Sequence, residues 1–143
     1  MRKKLKSILL EPFEDFLSGL ESCLSNYSNR NIFVLISCIL ISWWIYVPVH
    51  ELGHAFGCLV AGGTVSKLEI SPEYGASLLK EVFDFVSVGS EYAGQLTGFD
   101  TKGSDWIYFL TDFFPFLLTL FPGIPLLKSA NGSAPLSASI KLG

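Results

Sequence analysis

The sequence predicts a mainly α membrane protein with two to three transmembrane helices, a short β-strand or hairpin after the first span, and amphipathic interfacial helices. Three observations predict it. Of 143 residues 50% are hydrophobic and only 16% are charged, richer in apolar side chains and poorer in charge than an ordinary soluble domain. Residues 32–49 carry no charge, with only Ser37, Ser42 and Pro48 departing from an apolar run, and a stretch of about 18 such residues reaches the length of a membrane-crossing helix. Residues 107–127 carry one charge, Asp112. A chain of this length holds one domain, divided as an amphipathic N-terminal segment (1–30), a first span (31–61), a β and helix loop region (62–105), a second span (106–127) and a tail (128–143).

At the start, Leu9, Phe13, Phe16, Leu17, Leu20 and Leu24 recur every three or four positions with Glu14, Asp15 and Glu21 between them, an amphipathic helix pattern. Behind Arg2, Lys3, Lys4 and Lys6 this helix either lies in the membrane interface or packs on the rest of the protein. Glu11, Pro12, Glu14 and Asp15 interrupt the apolar region that a signal peptide needs, so that reading is rejected. The first span runs on with apolar character to Ala61, and residues 32–61 contain three ionisable side chains, His50, Glu51 and His54. As one helix they measure about 45 Å against a hydrocarbon core of about 30 Å. Either the helix tilts and overshoots or Pro48 kinks it.

Gly62-Gly63 ends that helix, and residues 64–71 alternate polar and apolar ahead of Pro72, as a short strand at the membrane surface would. Residues 76–88 read as a second amphipathic helix too polar to span, with Leu78, Leu79, Val82, Phe83 and Val86 opposite Lys80, Glu81 and Asp84. Residues 89–104 have loop composition. Pro115, Pro122 and Pro125 make the second span a kinked or broken helix, and the tail from Ser129 reads as frayed.

Composition excludes some functions. The net charge of −3 comes without a basic stripe interleaved with aromatics, so the footprint of a nucleic-acid binder is missing. Cys23, Cys38 and Cys58 are odd in number and widely spaced, which suggests buried small hydrophobes rather than a disulfide framework or a cysteine zinc knuckle.

The residues that carry chemistry are His50-Glu51-Leu52-Gly53-His54, an H-E-x-x-H motif holding both histidines of the chain. Four residues apart on a helix, the two imidazoles share a face and can hold one Zn2+. Zinc lowers the pKa of the water it binds to about 7, and Glu51 then takes its proton and later hands it to the leaving amine. Two hydrogen-bonded helix histidines beside a solvated carboxylate are the bland alternative, disfavoured beside a lipid-facing run, where ionisable groups are costly. A catalytic zinc needs a third protein ligand. Asp112 is the best candidate, as the one charge of the second span, brought to similar depth if the spans are antiparallel; otherwise it snorkels to the interface with Asp105. Cys58 continues the row at i+8, although three ligands along one helix converge poorly on one ion. Glu69, Glu73 and Asp105 are reachable from loops.

The segment His50-Glu51-Leu52-Gly53-His54-Ala55, following an apolar span and leading into Ala61-Gly62-Gly63-Thr64-Val65, resembles the site-2 protease family of intramembrane zinc peptidases over residues 43–71. The resemblance implies helices around zinc, His50 and His54 as metal ligands, Glu51 as catalytic base, and cleavage of transmembrane or membrane-proximal segments of other proteins. The family's later helix carries Asn-x-x-Pro followed by Leu-Asp-Gly; residues 112–120 come nearest, with Asp112 where Asn is expected and Leu120 where the ligating Asp should be. The expected function is therefore a zinc metalloendopeptidase in a lipid bilayer, acting on a membrane-protein substrate. The alternatives are a non-catalytic zinc-binding membrane protein and a different class of helical membrane peptidase. A multi-pass protein of the cell membrane follows. With five basic residues before the first span and two after the second, the positive-inside rule places both ends in the cytoplasm, whereas the resemblance places the site near the cytosolic face.

Overall fold

The structure, a computed structural model, describes residues 2–25 and 28–143. It is mostly helical with one small sheet. The order is α1 (Arg2–Leu24), α2 (Asn29–Val60), β1 (Thr64–Ile70), a 3-10 turn (Pro72–Tyr74), α3 (Ala76–Val82), β2 (Val86–Val88), β3 (Gly94–Asp100), α4 (Asp105–Phe113), α5 (Phe116–Leu118), a π-helical segment (Thr119–Gly123), α6 (Ile124–Ala130) and α7 (Pro135–Leu142). Two compact units divide the chain, residues 1–42 with 119–143, and residues 43–118.

Helix α2 is, among the described residues, the one helix long and apolar enough to cross a membrane. Its most apolar window has a mean hydropathy of 2.3 and is only 6% buried, so protein covers little of a surface that would otherwise face water. Pro48 lies inside it without ending it. The end is set by Gly62, at φ 95°. There Gly62 N–H donates to the Leu59 carbonyl at 3.0 Å and Gly63 N–H to that of Cys58 at 2.9 Å, the Schellman arrangement for which glycine is suited.

In the unit of residues 43–118, the three strands are ordered β2-β1-β3, with β1 parallel to β2 and antiparallel to β3. Leu68 and Ile70 of β1 point the same way and are fully buried, joining Leu52 and Ala55 of α2, Ala76 of α3 and Val86 of β2 in one core. The strand expected over residues 64–71 is present. The helix expected over residues 76–88 stops at Val82. Phe83 is extended (φ −125°, ψ 109°), Leu68 N–H donates to the Phe85 carbonyl at 2.8 Å, and Val86–Val88 pairs with β1. β-branched residues that bury one face gain more from a sheet partner than from another helical turn. Residues 89–104, expected to be a loop, contain β3. Its pattern is obscured by glycines and by register shifts against β1 beside Lys67, which break the period of two that marks a strand.

The second span expected at 106–127 is divided into α4, α5, the π-helical segment and α6, with Pro115, which lacks the N–H of a helical ladder, between α4 and α5, Pro122 inside the π-helical segment and Pro125 in the first turn of α6. Helix α4, its longest single piece at 9 residues, reaches about 14 Å, half a hydrocarbon core. Among the described residues no second helix is long and apolar enough to cross a membrane.

In the other unit, α1 packs on α6 and α7. The tail expected to fray from Ser129 is instead the end of α6 followed by α7. Cys23 Sγ lies 3.0 Å from Ser139 Oγ, Lys128 pairs with Glu11 at 2.7 Å, and Asn131 accepts from Ser18 at 2.6 Å. These contacts favour the packed reading of α1, although Phe13 and Leu17 stay exposed. The side chains of the basic cluster at Arg2, Lys3, Lys4 and Lys6 lie outside the described residues. All three cysteines are free thiols, Cys23 and Cys58 buried.

Candidate metal centre

The motif sits in the second half of α2, within the unit of residues 43–118. His50 and His54 are neighbours one helical turn apart, with ring centroids 5.0 Å apart and planes at 86°. Each ring is tethered through Nδ1. His54 Nδ1 lies 2.9 Å from the main-chain oxygen of Thr111. A carbonyl only accepts, so Nδ1 carries the proton and Nε2 presents its lone pair. His50 Nδ1 lies 2.9 Å from the Tyr46 hydroxyl.

The Thr111 carbonyl is free to accept for a local reason. Its α-helical partner would be the N–H of residue 115, which is proline. Pro115 thus ends α4 and supplies the acceptor for His54. Thr111 is 1% exposed, and its hydroxyl donates back to the Ile107 carbonyl at 2.8 Å. Helix α4 approaches α2 closely because Gly53 and Gly57 lie on the facing side. A Cβ on Gly53 would stand 3.1 Å from Pro115 Cα, and one on Gly57 would meet the Leu110 carbonyl oxygen and lie 2.7 Å from Phe114 Cβ. Small residues one turn apart are what such an approach requires.

Glu51, His54, Gly94, Gln95, Thr111 and Asp112 line one cavity of about 330 Å³. Gly94 of β3 is the wall behind Glu51: a Cβ there would run into the Glu51 side chain. The structure therefore brings Glu51, His54 and Asp112 to one space, with His50 at its margin through His54. It does not close a cage. Among the described residues no three or more His, Cys, Asp or Glu side chains are grouped to hold a metal. The imidazoles of His50 and His54, with Nε2 of His54 free, and the carboxylates of Glu51 and Asp112 are nonetheless the nitrogen and oxygen donors that a zinc ion takes.

The other candidates do not line that cavity. Buried Cys58 contacts the Thr64 carbonyl at 3.6 Å. Glu69 pairs with Lys67 at 2.7 Å, and that hydrogen bond holds its carboxyl below the ordinary carboxylate value. The Glu73 main-chain oxygen accepts from the Trp44 indole at 2.6 Å, and Asp105 occupies the first turn of α4. Sequence reasoning missed Tyr46, Thr111 and Gly94. Tyr46 stands four residues before His50, so helical spacing pointed to it; nothing local marked the other two. No protein-family model, curated protein or solved structure matches the chain.

Proposed function

We propose that this protein is a zinc-dependent intramembrane endopeptidase of the site-2 protease kind, cleaving membrane or membrane-proximal segments of other proteins. One observation carries the reading. Both imidazoles of an H-E-x-x-H helix are held through Nδ1, the outer-shell arrangement that readies Nε2 for a metal, while Glu51 lines the adjoining cavity. His50 and His54 bind the ion, and Asp112 is the third ligand. Zinc, when bound, supplies a Lewis acid that polarises the scissile carbonyl and acidifies water. Glu51 takes a proton from the attacking water on its carboxylate and returns it to the departing amide nitrogen. Gly94 leaves room for that carboxylate, and Gln95 beside it offers an amide to a bound peptide.

The exposed apolar length of α2 supports a membrane location, and the multi-pass reading takes residues 106–127 as a second, interrupted crossing of the cell membrane. A second reading is a divergent, non-catalytic zinc-binding membrane protein that keeps the fold for binding or regulation.

The deciding experiment is Glu51→Gln in vesicles holding a panel of tagged single-span membrane proteins. Under the peptidase reading cleavage stops while zinc stays at about one per chain. Cleavage at the wild-type rate refutes the role of Glu51, and zinc without cleavage in the wild type favours the second reading.

A further inference from the structure

The two tethers at the histidines differ in kind. That on His54 comes from a main-chain carbonyl of α4, a group that accepts and never donates. That on His50 comes from a phenol, which does either. If the Tyr46 hydroxyl donated, His50 would hold its proton on Nε2 and could not bind an ion there. The side-chain packing bears on the same point. Trp43, Tyr46, His50 and His54 succeed one another at spacings of three, four and four, so they share one face of α2. Their ring centroids are 6.4 Å, 5.2 Å and 5.0 Å apart in turn. Trp43 thus packs against the phenol, and the phenol ring lies tilted at 40° to that of His50, which, among the described residues and unlike His54, receives no bond from α4.

We propose that Tyr46 is a positioning residue of the metal centre: its phenolic oxygen accepts the Nδ1 proton of His50 and keeps that ring in the tautomer whose Nε2 is free for the ion. This rests on the zinc reading of the site, and it assigns to Tyr46 a role that neither the motif nor the resemblance contains. Tyr46 never touches substrate; it acts through His50. Metal affinity and the His50 proton position should therefore depend on its hydroxyl, and the His54 proton position should not.

Two measurements on the full chain in detergent micelles test this. With only two histidines present, long-range nitrogen–proton spectra of the zinc-stripped protein, assigned with His54→Ala, read each tautomer directly. The expected result is a proton on Nδ1 in both rings. In Tyr46→Phe, which keeps the ring packing, His54 should be unchanged while His50 shifts toward the Nε2-protonated form. Competition with a chromogenic chelator should then show zinc held about 10–100-fold more weakly by Tyr46→Phe. A wild-type His50 protonated on Nε2 overturns the proposal even if the variant does not fold, as does a His50 spectrum or a zinc affinity indifferent to the hydroxyl. If the tautomer shifts as expected and neither protein binds zinc, the tether stands and the metal reading falls, carrying the positioning role with it.

Discussion

Gly57→Ala is the sharpest probe of how α4 is held against the motif helix. The new methyl would meet the Leu110 carbonyl oxygen and lie 2.7 Å from Phe114 Cβ, where carbon atoms prefer about 3.5–4.0 Å. The oxygen belongs to backbone and cannot swing aside, so the helices must part by about 1 Å to restore contact. That displacement also threatens the 2.9 Å contact between His54 Nδ1 and the Thr111 oxygen, because a bond stretched past about 3.5 Å contributes little. Overpacking of this kind costs about 1–3 kcal/mol, the lost hydrogen bond about 1 kcal/mol, and the better helix propensity of alanine returns about 1 kcal/mol. The net expectation is a destabilisation of about 1–3 kcal/mol. The assay is thermal unfolding in micelles followed by circular dichroism, with Gly53→Ala in parallel. The latter meets Pro115 at 3.1–3.4 Å and should cost less. A Gly57→Ala protein as stable as the wild type, or more so, would refute the close approach of α4 and with it the account of how Thr111 reaches His54.

Three other outcomes follow from the same geometry. Gly94→Ala crowds the flexible Glu51 side chain rather than backbone, so unfolding should change by less than about 1 kcal/mol and zinc should stay. Cleavage should fall by about 100-fold or more, as for loss of a positioned general base; an undiminished rate would show that the carboxylate does not rest there. Asp112 is exposed, so Asp112→Ala should leave stability within about 0.5 kcal/mol yet lower zinc content, and a full complement of zinc eliminates it as a ligand. Glu69 is held below the ordinary carboxylate pKa by its hydrogen bond from Lys67, so this contribution to stability is whole above the unfolded value and is lost as pH falls through the lowered one. Melting of Glu69→Gln should therefore differ from wild type at neutral pH and converge with it in acid, and a gap that widens in acid contradicts that sign.

Much of the path from α1 to β1 is legible in the sequence, because local rules govern it. An uncharged run long enough to cross a bilayer, a pair of glycines that stop a helix, and an alternating stretch before Pro72 each act within a few residues. The same holds for the breaks near Pro115, Pro122 and Pro125. Strands β2 and β3 were hidden because each is specified by its pairing with β1, a partner distant in sequence, and residues 83–88 carry apolar side chains compatible with either period. Helix α7 was hidden too, since its small and polar residues become helical against α1 rather than by their own propensity.

By itself the sequence determined the chemistry on offer: two imidazoles a turn apart around a carboxylate, on a helix long and apolar enough to cross a membrane, with prolines downstream. Only the tertiary structure decided how those groups are held. A proline just past α4 strips one carbonyl of its partner, two glycines let that carbonyl reach His54, and a third glycine on β3 leaves space for Glu51. The reason is physical: helical spacing is written in neighbouring residues, whereas the approach of one backbone to another depends on which distant atoms leave room for it.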